Sequence, residues 1–254
     1  MSTSYAGGAL LESLADARAA ARPRGRPFVT LAYAQSLDGS ISIARGQRTA
    51  LSGPEAMRFT HALRATHDAI LVGIGTVLAD DPELRVRLVD GPDPQPIVVD
   101  SRLRTPDAAK LLTRPGRSTW IATATPAPRG ASPDGDEQRA RIAHIEARGG
   151  RVVACPALPN GWVDLQALLA RLGADGVSHV MVEGGARIIG SFLQARLVDY
   201  LLVTIVPQLL AGLPAVAPGV HPGGRGAVAS VARWLSARLG DDLILGGEMA
   251  WPVG

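Results

Sequence analysis

Residues 68–84 read DAILVGIGTVLADDPEL. Asp68 to Val72 has the length and apolar content of a strand, and Gly73-Ile74-Gly75-Thr76 follows it as a glycine-containing turn. The segment before it reads as a helix. Ser52-Gly53-Pro54-Glu55 has the form of a helix start, with Ser52 as N-cap, Pro54 in the first turn and Glu55 three residues after the cap. This helix runs to about Ala65 and puts Met57, His61 and Arg64 at helical spacing. Earlier still, Phe28 to Ala34 (FVTLAYA) reads as a buried strand, and downstream Pro96 to Asp100 and Thr119 to Thr123 are two more.

The same alternation continues to the end. A helix from Glu137 to Arg148 leads into a strand at Arg151 to Ala154. A second helix spans Asp164 to Leu172 with Asp164 as its cap, and a strand follows at Val177 to Val182. Gly184-Gly185 opens a helix ending near Arg196, and Asp199 to Val206 is a strand. Val231 to Leu239 and Asp242 to Gly246 pair as a closing hairpin around Gly240-Asp241. Pro126 to Gln138, rich in Pro, Gly, Ser and Asp, reads as a surface loop prone to disorder. Residues 27–254 therefore form one α/β unit, a mostly parallel sheet with an antiparallel C-terminal edge. Residues 1–26 read as a tail or short helix before it.

Composition removes several classes of function. Of 254 residues, 46% are apolar and 19% charged, which argues against a disordered or coiled-coil chain. One cysteine, Cys155, makes no internal disulfide or multi-thiolate site, so a reducing, cytoplasmic setting is expected. No run reaches the about 18 uninterrupted apolar residues of a membrane span. The net charge of +3 comes almost wholly from dispersed arginines, Lys110 being the only lysine, and aromatics are few. That pattern disfavours nucleic acid and suits anionic small molecules. His144-Ile145-Glu146 matches half of a zinc-deaminase signature, but Cys155 has no partner cysteine. The five histidines show no metal-ligand spacing, and no metal is expected. His179, inside a strand, is expected to pack in the core.

Candidate chemistry lies in the turns after strands, where ligands of open α/β sheets bind. The segments are Gly73 to Pro82, Asp100 to Arg104 and Glu183 to Gly190. In the last, two glycines precede a helix, so a diphosphate on free amides and tight helix packing are both open readings. The dinucleotide fingerprint is incomplete, since its third glycine would fall at Leu78. Ser101 and Arg102 offer a hydroxyl and a guanidinium for a 2′-phosphate, or else a solvated turn. Asp80 and Asp81 before Pro82 read as turn caps, or as partners of sugar hydroxyls.

Taken together, Ser36-Leu37-Asp38-Gly39, Leu51 to Glu55, Leu63-Arg64-Ala65, Asp68 to Leu84 with Arg87, Val99-Asp100-Ser101, Val182 to Gly185 and Leu197-Val198-Asp199 resemble the riboflavin-pathway reductases. The family is the RibD C-terminal reductase domain and its stand-alone archaeal and fungal relatives, and the likeness covers roughly Pro27 to Leu210. It implies a dihydrofolate-reductase-like three-layer fold, a homodimer and the cofactor NADPH. The implied reaction reduces the ribosyl group of a pyrimidine ribosylamine 5′-phosphate to ribityl. With no deaminase segment ahead of it, the chain resembles the stand-alone type. Where bifunctional members carry Ser and Trp, it has Arg48 and Ala50, which leaves the state of the pyrimidine amino group open.

With the turn readings, the resemblance makes Ala34, Gly73, Gly75, Thr76, Asp80, Ser101, Arg102, Gly184, Gly185, Ala186, Arg187 and Ile188 the expected cofactor contacts. Arg64, Leu84, Arg87 and Glu183 are the expected substrate contacts. Asp38 and Glu183 are the carboxylates expected to assist ring opening or positioning, with a plain turn residue as the other reading of Asp38. A pterin or folate-like substrate, or a non-catalytic nucleotide-binding role, remain the alternatives at this point.

Overall fold

A computed structural model describes residues 7–113, 116–125, 133–218, 220 and 229–252. In chain order the elements are α1 (Gly8–Ala20), β1 (Phe28–Ser36), β2 (Ser40–Ser42), α2 (Pro54–Ala65), β3 (Ala69–Gly73), α3 (Ile74–Asp80) and β4 (Gln95–Val99). They continue with α4 (Lys110–Thr113), β5 (Trp120–Ala124), α5 (Pro133–Ala147), β6 (Arg151–Cys155), α6 (Leu165–Ala174) and β7 (His179–Val182). The last are α7 (Ala186–Gln194), β8 (Tyr200–Val206), β9 (Leu213–Pro214), β10 (Ser230–Leu239) and β11 (Asp242–Ala250).

Nine strands form one sheet in the order β10-β11-β8-β1-β7-β3-β4-β5-β6. From β8 to β6 neighbouring strands run parallel, while β11 is antiparallel to both β8 and β10. The expected parallel sheet with an antiparallel C-terminal edge is what forms. Alternation along β1 sends Val29 and Leu31 to one face, where they pack with Leu168 and Leu169 of α6 and Phe192 of α7. Ala32 goes to the other face, with Phe59 of α2 and Leu10 and Leu14 of α1. Helices on both faces make three layers, which is why the central strands are apolar throughout.

Several local expectations shift. Of the two readings of the N-terminal segment, a short helix forms: α1 buries Leu10, Leu14 and Ala17 against Phe59 and Tyr200. Arg18, on α1, donates to the Thr66 carbonyl at 2.8 Å and also contacts His67, fastening the helix end. Ser52 is not the cap of α2; Gly53 is, and its own N–H donates to Asp242 at 2.7 Å. A tertiary partner therefore sets that boundary. The expected turn at residues 73–76 is helical from Ile74 onward. Asp164 does cap α6, accepting from the N–H groups of Gln166 and Ala167. α5 starts earlier than expected, at Pro133, while residues 126–132 of the anticipated loop lie outside the described residues. His179 is not a core residue: its side chain is 34% exposed and its Nδ1 lies 3.5 Å from Asp68. β2 and β9 were too short to carry a readable period.

Candidate active site

The carboxyl ends of β1, β3, β4 and β7 open into one cleft of about 1430 Å³. Ala34, Gly73, Gly75, Thr76, Asp80, Ser101, Arg102 and the Gly184-to-Ile188 turn all line it. So do Arg64, Leu84, Arg87 and Glu183. Asp38 does not. The tertiary structure thus gathers every expected site residue but one.

Asp38 lies in the turn between β1 and β2, in keeping with the turn-residue reading. Its exposed side chain accepts from the Ser36 hydroxyl at 2.5 Å, the Ser40 hydroxyl at 2.6 Å, and the N–H groups of Leu210 and Ala211 at 2.9 Å each. These bonds, the two serine hydroxyls first, hold its pKa well below the carboxylate range. A carboxylate saturated in this way ties the β1–β2 turn to the chain after β8, and it is a poor base.

The glycines divide into two kinds. A Cβ on Gly73 would lie 2.5 Å from Cγ1 of Ile188, and one on Gly184 would lie 2.6 Å from its Cγ2. Both exist so that the first turn of α7 can sit against the end of β3. Gly75 has nothing within 4 Å, and Gly185 meets only Thr76 Oγ1 at 3.8 Å. These two border open space at the starts of α3 and α7. Gly184 thus meets the tight-packing reading, while Gly185 leaves the open space that a diphosphate would need. Gly185 is the N-cap of α7 and offers no side chain there, leaving the free amides of the helix start facing the cleft.

On the opposite side, α2 and β7 meet. Arg64 grips Glu183 in a fork, Nε to Oε1 at 2.6 Å and a terminal nitrogen to Oε2 at 2.7 Å, and also donates to the Arg85 carbonyl at 3.0 Å. Burial works against the Arg64 charge, but Glu183 outweighs it and the pKa is raised. His61, one turn earlier on α2, is fully buried and accepts from the Arg87 N–H at 3.0 Å. Arg87 itself is exposed at the cleft. Burial raises the pKa of Asp80, and the nearby Arg48 partly counters this. Ser101 accepts from the Val163 N–H at 3.0 Å, joining β4 to the loop that carries Trp162. Trp162 lines the cleft and is covered by the Arg187 guanidinium, 5.1 Å from the ring centre. Among the described residues, no group of three or more His, Cys, Asp and Glu side chains could hold a metal ion.

His61, Arg48 and Trp162 were not among the expected site residues. The i, i+3 spacing of His61 from Arg64 was the one available signal; for Trp162 there was none, because its loop reaches the cleft only through long-range folding.

Residues 27–222 match the family described as the RibD C-terminal domain. The chain belongs to that family. Among the relatives of this RibD-type chain is the 2,5-diamino-6-ribosylamino-4(3H)-pyrimidinone 5′-phosphate reductase of Methanothermobacter thermautotrophicus, 40% identical over 190 residues, covering 74% of this chain and 81% of the relative. The protein of the same name from Archaeoglobus fulgidus is 38% identical over 197 residues, covering 74% and 83%. The solved structure of the Saccharomyces cerevisiae riboflavin biosynthesis reductase has a TM-score of 0.71 at 28% identity, covering 95% of this chain and 99% of that one. RibD of Acinetobacter baumannii shares the fold, with a TM-score of 0.72 at 24% identity, 96% of this chain aligning to 64% of it.

Proposed function

We propose that this RibD-type protein is an NADPH-dependent reductase that converts the ribosyl group of a pyrimidine ribosylamine 5′-phosphate to ribityl in riboflavin biosynthesis. The observation carrying the reading is that one cleft holds a cationic pocket around Arg64, Arg87 and Glu183 on one side and the glycine-opened start of α7 on the other.

The cofactor side fits the chemistry of a dinucleotide. Gly75 and Gly185 leave room for close backbone approach, α7 offers unpaired amides to a diphosphate, and Ser101, Arg102 and Arg187 lie along the same wall. NADPH, when bound, supplies the hydride. The protein's own groups bind, orient and shield. Arg64 fixes the direction of the Glu183 side chain, and Glu183 has lone pairs left to accept from sugar hydroxyls. Arg87 presents a guanidinium suited to the substrate phosphate. Leu84, buried beside the cleft, supplies an apolar wall. Orientation and exclusion of water do most of what such a reaction needs from side chains. The saturated Asp38 has no part in these steps.

The same reading makes the enzyme a cytoplasmic homodimer. Exposed Trp234 and Leu235 on the edge strand β10 and the single buried cysteine support it. No helix of the described residues is long and apolar enough to cross a membrane.

The test incubates the protein and NADPH with the diamino-ribosylamino pyrimidinone phosphate, its deaminated form, or dihydrofolate, and follows loss of nicotinamide absorbance. Oxidation with one pyrimidine and none with dihydrofolate is expected. Folded protein that oxidises NADPH with neither pyrimidine overturns the proposal.

A further inference from the structure

Leu84 and Arg87 line the substrate side of the cleft, at the two ends of a segment that belongs to no helix or strand. Leu84 opens it in the left-handed region, at φ 48°. Three successive residues are then held through their backbones. The Arg85 carbonyl accepts from Arg64 at 3.0 Å, the Val86 N–H donates to Asp93 at 2.6 Å, and the Arg87 N–H donates to His61 Nδ1 at 3.0 Å. Two of these tethers come from one face of α2, one turn apart, and the same Arg64 also grips Glu183.

An imidazole nitrogen that accepts carries no proton, so neutral His61 bears its hydrogen on Nε2. That Nε2 is buried and has no hydrogen-bond partner among the described residues. A buried donor left without an acceptor is unfavourable, so a site needing only bulk would favour leucine. Burial first, then the charges of Arg64 and Arg87, push the His61 pKa down to about 4, with Glu183 and Asp93 acting the other way. At neutral pH the ring is therefore an acceptor.

We infer that His61 is a positioning residue: its imidazole fixes the backbone of Arg87 and thereby sets where the Arg87 guanidinium and the Leu84 side chain meet the pyrimidine ribosyl phosphate. This rests on the proposed reductase function. It assigns to α2 a double task, holding Glu183 through Arg64 and the substrate arm through His61.

The experiment compares wild type with His61→Leu, which keeps bulk and removes the acceptor, and His61→Asn, whose amide oxygen can take the place of Nδ1. Hydrogen exchange at the Arg87 amide, thermal midpoint, kcat, and KM for both the pyrimidine phosphate and NADPH are measured. In His61→Leu the Arg87 amide should lose protection and the pyrimidine KM should rise about tenfold, with kcat and the NADPH KM within about threefold. His61→Asn should recover most of both losses. An Arg87 amide that stays protected in His61→Leu, an unchanged pyrimidine KM, or parallel losses in every parameter without rescue by asparagine each overturn the inference. If the wild type turns over no pyrimidine, the functional reading fails, and exchange at Arg87 still decides whether His61 holds the arm.

Discussion

Gly73 and Ile188 share one volume: the methyl group that Gly73 lacks would stand 2.5 Å from Cγ1 of Ile188, on a side chain itself buried in the core. β3 ends and α7 begins at that contact, so the distance between the two walls of the cleft is set there. Gly73→Ala should destabilise by about 1–3 kcal/mol through overpacking. Gly75→Ala, facing open space two residues further on, should leave the thermal midpoint unchanged or slightly raised while weakening NADPH. Calorimetric unfolding and NADPH titration of both variants check this; equal effects of the two on stability would refute the division of glycines.

Glu183 and Asp38 should separate cleanly. Glu183→Gln breaks a fork to Arg64, and a hydrogen bond to a charged group is worth about 1.5–3 kcal/mol. At least a tenfold loss of kcat/KM is therefore expected at saturating NADPH. Asp38→Asn should lower the thermal midpoint, because two hydroxyl donors and two backbone donors converge on that carboxylate. Turnover per folded molecule should stay near wild type. A large kcat loss in a fully folded Asp38→Asn would restore it to the chemistry.

Acid should unfold the protein earlier than its carboxylates alone would. Burial pushes His61 to about 4 and, with Arg18 beside it, His67 to about 3. Both lie below the ordinary histidine value of about 6.5. Between these values the unfolded chain binds protons that the folded chain refuses, so stability rises with pH there and falls as pH drops from about 6.5 toward 4. The lowered Asp38 pKa acts in the same direction at still lower pH. Each unit of histidine shift is about 1.4 kcal/mol at full effect. Thermal midpoints measured from pH 7.5 to 4 should decline, with less decline in His67→Gln; a flat profile contradicts the burial of neutral imidazoles.

Leu14→Ala tests whether α1 belongs to the domain. The side chain is 1% exposed and packs with Phe59 of α2 and Tyr200 of β8. Truncation should remove about 2–5 kcal/mol, a drop in thermal midpoint on the order of 10 °C for a domain of this size. No measurable change would return the segment to the status of a tail.

What was readable in advance follows from local physics. Periods of two and 3.6 residues, glycines after strands and the Asp164 cap depend on near neighbours, and they placed the strands of the main sheet within a few residues. The joint motifs named the reductase family, and all but one of the expected site residues share the cleft. Other features needed the folded chain. The cap of α2 waits on Asp242, the fate of Asp38 on Leu210 and Ala211, and the grip on Arg87 on a histidine 26 residues earlier. Whether Gly184 serves packing and Gly185 the open cleft depends on where Ile188 lands. Periodicity reports which residues face inward; only the tertiary structure decides which donors and acceptors meet, because those pairs are closed by contacts across the sheet that leave no period in the chain.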